Sequence, residues 1–327
     1  MILKRFLLIL FFISLGFTAY SQAQRQAASP QIEMVRIPAG TFTMGSNDEL
    51  DRSVRAQPPH QVILTQEFWM GKYQVTQAQW VAVMGTNPSW FHGGTGREPA
   101  DGEAQGKRPV EMVRWHDVLV FANRLSIMRG FTPAYEMETT TASVWNTNPD
   151  LWGTVPTSWS SPDRPRWDAV RIVPGSTGYR LPTEAQWEFA AKGGNTADNY
   201  TFSGSDNPFL VAWHSANSGN RTREVGRLAP NGLGLYDMSG NVWEWVWDWF
   251  GTYTVSPAID PTGPNAGIIR VIRGGSWGDD ADGSRSLIRS FGNPSVRGNA
   301  IGFRLVRPLT VFCEKNILII DTWSSPD

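Results

Sequence analysis

Residues 234 to 250 read GLYDMSGNVWEWVWDWF. Tryptophan recurs at Trp243, Trp245, Trp247 and Trp249, the period of two that sends alternate side chains to opposite faces of a strand. Glu244 and Asp248 fall on the other face, with Val246 between them. The stretch predicts a strand with one packed aromatic face. Just upstream, Ser239-Gly240-Asn241 makes a tight turn flanked by Asp237 and Glu244. Two readings are open there. One is a plain structural strand and turn. The other is a calcium site, because calcium takes about six to eight oxygens, many of them from backbone carbonyls, and hard carboxylates suit it.

Outward from this stretch, composition sets the class. Of 327 residues, 41% are hydrophobic, enough for a core and too many for a disordered chain. The formal net charge of −1 removes the electrostatic case for nucleic acid. The 32 glycines and 22 prolines are scattered, which predicts many turns and few long elements. The chain begins MILKRFLLILFFISLGFTAYSQAQRQ. Lys4 and Arg5 precede an apolar run, Phe6 to Phe17, that is short for a bilayer span, and Ser21-Gln22-Ala23 offers small residues for cleavage. Residues 1–23 therefore read as a secretory signal and 24–30 as a linker. This implies an exported protein, periplasmic or extracellular, with no membrane span after cleavage. Cys313 is the one cysteine, so no internal disulfide can form; its apolar setting LTVFCEKNILII favours an inert thiol.

Strand-like patterning starts at Gln31. IEMVRIPAGTFTMGS suggests a hairpin turning at Pro38-Ala39-Gly40. Two helices announce themselves by capping boxes, Thr76 with Gln79 and Thr183 with Gln186, stopped by Gly85 and by Gly193-Gly194. A third is predicted from about His116 to Met128, with Val118, Phe121, Ala122 and Leu125 on one stripe and Gly130 as its stop. Residues 131 to 178 are rich in Ser, Thr, Pro and Trp and read as a long irregular excursion anchored by tryptophans. The fold class predicted is α+β, one loop-rich domain with helices packed on irregular antiparallel sheet. His60, His92, His116 and His214 lie at no ligand spacing, and no nucleophile elbow, phosphate loop or dinucleotide-binding glycine pattern occurs.

Seven blocks then stand in a familiar order: MVRIPAGTFTMGS, FWMGKYQVTQAQW, RPVEMVRWHDVLVFANRLS, GYRLPTEAQWEFAAKGG, NGLGLYDMSGNVWEWVWDWF, VIRGGSWGDDADGSRS and IGFRLVRP. Together they resemble the formylglycine-generating enzyme, or sulfatase-modifying factor, family across about Ile32 to Pro308. The resemblance implies one domain over 31–308, a C-type-lectin-like core with little regular secondary structure, and a C-terminal tail at 309–327. It also implies structural calcium held by the side chains of Asp237 and Glu244 and the carbonyls of Gly240 and Val242. A second family calcium site falls in VAWHSANSGNRT, which is too unlike the pattern for ligands to be assigned.

Active members of that family oxidise a cysteine of a sulfatase peptide to formylglycine with oxygen and copper(I) held by two thiolates. Those thiols belong in the loop RGGSWGDDADGSRS, residues 273 to 286. Counted from Gly274-Gly275-Ser276, they fall at Asp279 and Ser284. Hydroxyls and carboxylates are hard ligands and suit copper(I) poorly, so copper is not expected. Asp279, Asp280 and Asp282 form either a solvated acidic turn, the preferred reading, or a site for a hard cation, with Arg285 or Arg289 as ion-pair partners. Asn293 to Asn299 and the Gly302-Phe303-Arg304 segment are implied to wall the family's substrate groove, which the 131–178 excursion would shape. The reading that follows is a non-catalytic binding or scaffold module of the cell envelope, holding a peptide, glycan or envelope protein. Its alternative is a formylglycine-generating-type oxidase, or another metal-dependent oxidation on the same fold.

Overall fold

The computed structural model describes residues 29–47, 56–139, 144–196, 199–309, 311–314 and 317–320. The signal segment 1–23 and most of the linker lie outside the described residues. Among those described, no helix is long and apolar enough to cross a membrane. The architecture is α+β with short elements and much irregular chain, as the glycine and proline content predicts.

The indole-rich strand runs Trp243–Trp249 and sits inside a four-stranded sheet. Arg270–Arg273 pairs with it antiparallel, Arg289–Gly292 continues outward from that strand, and Ile301–Gly302 pairs on its other side in parallel. Both faces of the strand are covered, not one. Trp243, Trp245 and Trp247 face a core built around the helix Trp115–Met128, while Val246 faces a second core built around the helix Glu184–Ala191. The period of two thus divides the molecule into two apolar clusters. Between Trp245 and Trp249 the register slips, because those two residues oppose neighbours only two apart, Ile272 and Arg270. Such a bulge re-aims the side chains beyond it.

Both capping boxes form. Thr76 accepts from Gln79 N–H at the head of Gln77–Met84, and Thr183 accepts from Gln186 N–H at the head of Glu184–Ala191. In each case the glutamine side chain returns to the cap N–H. The long helix covers Trp115–Met128, with its predicted stripe Val118, Phe121, Ala122 and Leu125 fully buried.

The hairpin expected at Pro38-Ala39-Gly40 does not form. Met34–Ile37 pairs instead with Phe68–Gly71, which also pairs with Val306–Pro308, whereas Gly40–Met44 pairs with His60–Leu64. The turn passes the chain from one sheet to another, so local alternation identified two strands but not their partners. The excursion at 131–178 is also less peripheral than its composition suggests. Trp152 and Trp167 are fully buried in the first core, edge to face at 5.9 Å. In the tail, Val311–Glu314 and Ile317–Ile320 pair as a separate antiparallel hairpin.

Candidate functional site

Two places were singled out by sequence, and both depend on the central strand. The first is the turn that feeds it. The carbonyls of Asp237, Gly240 and Val242 and Oε1 of Glu244 converge on one point, occupied by Nε2 of Gln74. The four distances are 3.2, 3.3, 3.0 and 3.0 Å. An amide nitrogen carries two hydrogens, so four acceptors oversubscribe it. The other end of that amide, Gln74 Oε1, is buried and has no partner. Asp237 presents its carbonyl to this point. Its backbone is left-handed, with φ of 55°, and its Oδ2 accepts from Gly226 N–H at 2.8 Å. Burial pushes the Asp237 carboxyl up to about 6, against the pull of the Gly226 N–H and Arg304.

Glu244 is fully buried and fully engaged. Its Oε2 accepts from Trp187 Nε1 at 2.8 Å and Arg304 Nε at 2.7 Å, and its Oε1 accepts from Arg304 Nη2 at 2.7 Å. This is a bidentate guanidinium–carboxylate pair, the strongest common geometry for such groups. Arg304 also donates to the carbonyls of Gly71 and Tyr236. The Gly-Phe-Arg segment therefore does not wall a groove through its arginine: Arg304 is at 0% exposure in the interior.

The second place is the acidic loop. Its three aspartates do three different jobs. Asp279 accepts from Trp243 Nε1 at 2.8 Å and from the Ser276 hydroxyl, and its carbonyl accepts from Ser215 N–H. Asp280 is the N-cap of a short 3-10 turn, Ala281–Ser284, accepting from Gly283 N–H. Asp282 pairs with Arg285 at 2.7 Å on the surface. They do not converge on a cation, and no group of three or more His, Cys, Asp or Glu suited to a metal occurs among the described residues. Ser284 is fully buried, and its hydroxyl has no hydrogen-bond partner. It packs close enough to Gly275 that a Cβ there would lie 2.5 Å from Ser284 Oγ. Next in the loop, Trp277 donates to the Asn299 carbonyl and meets Phe91 edge-on at 5.2 Å. Phe91 and its neighbour Trp90 are held by their N–H groups on the buried Glu111 carboxylate.

Arg289 does not join the acidic loop. It pairs with Glu184 at 2.7 Å, both groups being buried, while Arg273 pairs with Glu188 at 2.5 Å. Lys192 Nζ and Gly45 N–H complete Glu188, and these partners hold its carboxyl below the usual range despite the opposing effect of burial. Sequence reading singled out Arg289 but gave it the wrong partner, and it missed Arg273, because a buried arginine looks like any surface arginine in a short strand. Of the histidines, His116 is buried with Nε2 3.1 Å from Asp168 Oδ1, and His214 is buried beside the ring of Phe209. The segment VAWHSANSGNRT folds around Asn217, whose side chain accepts from His214 N–H and donates to the Ala212 carbonyl.

Residues 19–309 match the sulfatase-modifying factor enzyme 1-like domain. A protein named chaperone LppX from Paenibacillus barcinonensis is 35% identical over 262 residues, covering 75% of this chain and 78% of that one. The formylglycine-generating enzyme of Thermomonospora curvata is 32% identical over 276 residues, covering 75% and 82%. Among solved structures, Treponema denticola variable protein 1 superposes with a TM-score of 0.76 at 38% identity, over 86% of this chain and 96% of that one. PvdO from Pseudomonas aeruginosa superposes at 0.60 and 28%, over 85% and 95%. The chain belongs to the sulfatase-modifying factor, or formylglycine-generating enzyme, family.

Proposed function

We propose that this chain is an exported, non-catalytic recognition module built on the family's fold, stabilised by calcium. One observation carries the non-catalytic reading. At the two positions where the resemblance puts copper-binding thiols stand Asp279, tied to Trp243 and Ser276, and Ser284, whose hydroxyl is buried. A serine hydroxyl stays protonated at neutral pH and a carboxylate is hard, so the pair cannot serve as a soft anionic clamp for copper(I). Cys313, the sole cysteine, lies beyond the loop and beyond the matched residues. A relative named as a chaperone is in keeping with a binding role. Export rests on the N-terminal sequence, Lys4 to Ala23.

The calcium reading rests on the donor set around Gln74. Three carbonyls and one carboxylate oxygen share a focus, and the orphaned Gln74 Oε1 is a fifth hard donor on the same side chain. With the Gln74 amide turned so that Nε2 leaves that point, calcium there would tie the turn at residues 237–242 to Gln74, just beyond the strand Phe68–Gly71, and would stabilise the native state by mass action.

Two measurements test the proposal. Incubation with a Cys-x-Pro-x-Arg peptide, copper and oxygen is expected to give no aldehyde; conversion at a rate comparable with a two-thiol homologue would falsify the non-catalytic reading. Chelation is expected to lower the melting temperature and calcium to restore it. A melting curve indifferent to both removes the metal from the account.

A further inference from the structure

The structure holds a cavity of about 400 Å³ at the far end of the central strand from Asp279. Trp243, which contacts Asp279, and Trp249, which lines the cavity, are six residues apart, roughly 20 Å of strand. One wall is Asp168 to Ile172, from the tryptophan-rich excursion. The indoles of Trp247 and Trp249 form another, and an exposed loop carrying Thr262 and Asn265 borders the opening.

Against this cavity lies Arg270, only 2% exposed. Its guanidinium carbon sits 3.3 Å from the ring centre of Trp249 and 3.7 Å from that of Trp115, a sandwich that fixes the plane. Nη1 donates to the Trp247 carbonyl at 2.6 Å, and Nε is buried without a partner. The nearby carboxylates are committed elsewhere. Asp168 engages His116 Nε2 at 3.1 Å and Arg164 Nε at 3.0 Å, and Asp248 accepts from Glu184 N–H. Both carboxylates act on Arg270 from a distance, but neither hydrogen-bonds its guanidinium. Desolvation pulls this arginine down to about 9, a sign that the protein itself repays little of the burial. A buried cation with unused N–H directions, bordering a cavity of small-ligand size, is a poor structural device and a good anion anchor.

We propose that this cavity binds a carboxylate carried on an aromatic or apolar body, with Arg270 as the anion anchor and Trp247 and Trp249 as the stacking wall. The carboxylate could be that of a free acid or a peptide C-terminus, since the anchor chemistry is shared. The site does not depend on the reading of the acidic loop.

The test uses the full chain and calorimetric titration with phenylacetate, phenylacetamide, and a short peptide ending in phenylalanine as free acid or as amide. Saturable binding of an acid, at least about tenfold tighter than its amide, is expected. Preference for the peptide acid assigns a chain terminus, and preference for phenylacetate assigns a small molecule. Acids and amides binding alike, or no acid binding at millimolar concentration, overturns the proposal. Arg270→Gln is expected to abolish the acid preference, and an unchanged preference in the folded variant also overturns it. Should that variant fail to fold, Asn265→Trp fills the cavity from its exposed loop without touching the core. Unchanged acid affinity there refutes the assignment.

Discussion

Replacing Glu244 by glutamine tests whether the centre of the molecule is organised by charge. The two carboxylate oxygens receive four donors: Trp187 Nε1 and Arg304 Nε on one, Arg304 Nη2 and Gln74 Nε2 on the other. Glutamine keeps one oxygen and turns the other into a donor. Either amide orientation then faces two N–H groups with an N–H of its own. Two hydrogen bonds are lost and the Arg304 charge is left without its counter-ion at zero exposure. Removing one partner of a buried ion pair costs about 3–5 kcal/mol. Two charge-assisted hydrogen bonds at roughly 1.5–3 kcal/mol each give the same range. For a chain of this size that is a drop in melting temperature of roughly 10 °C.

The assay is equilibrium urea unfolding followed by tryptophan fluorescence, run with chelator and with calcium. In chelator, Glu244→Gln is expected to lose about 3–5 kcal/mol. Calcium should stabilise the parent chain and lose at least about tenfold in affinity in the variant, since one of the focal oxygens has been removed or reversed. A loss below about 1 kcal/mol would mean that Arg304 finds its compensation in the Gly71 and Tyr236 carbonyls alone, and the argument from paired charge would be wrong.

Further expectations follow from single contacts. Asp248 is buried and its carboxyl is pushed up to about 7, first by desolvation and then by the charge of Glu184. Its folded value lies above the unfolded one, so its contribution is present below about pH 4 and lost as pH rises toward 7. Asp248→Asn, which can still accept from Glu184 N–H, should therefore gain stability relative to the parent between pH 5 and pH 8, by at most roughly 4 kcal/mol; a difference that is flat with pH in paired melting curves refutes it. Gly240→Ala meets both a φ of 80° and the Trp213 carbonyl oxygen 2.3 Å from the new Cβ. It should destabilise by more than about 2 kcal/mol and weaken calcium together with it, and retention of both would show that the turn can shift. Thr183→Ala removes one half of a capping box and should cost about 1 kcal/mol in urea unfolding.

What could be read in the sequence was what is local. The capping boxes at Thr76 and Thr183 and the stripe of the long helix are set by spacings of three and four residues, and all three helices formed. The alternation of Trp243 to Trp249 identified a strand, but its second buried face was not legible. Val246 is small, and Glu244 and Asp248 look like solvent-facing acids until their partners are known. Those partners are remote. Gln74 is 170 residues from Glu244, and Arg304 is 60 residues beyond it. The hairpin at Pro38 failed for the same reason, since strand pairing was decided by residues 68–71 and 60–64 and not by the turn. Arg270 gave no signal at all, because nothing in RVIRGG distinguishes a cation sandwiched by indoles from an ordinary edge-strand arginine.

The buried ion pairs that hold the fold are distinct from the contacts of Asp279 and Ser284 in the acidic loop. Glu244 with Arg304, Glu188 with Arg273 and Glu184 with Arg289 form a framework of buried pairs that join the central strand, its neighbouring strands and the helix Glu184–Ala191. None of the three uses Asp279 or Ser284. Asp279 is fastened apart from these pairs, by Trp243 Nε1, Ser276 and Ser215. Residues in it can change identity at the cost of a few local hydrogen bonds, of order 1 kcal/mol each, whereas a change in the framework leaves a charge unpaired in the interior. Asp279 illustrates the asymmetry: by accepting from Trp243 and Ser276, its carboxylate is one more fastening of the loop to the sheet.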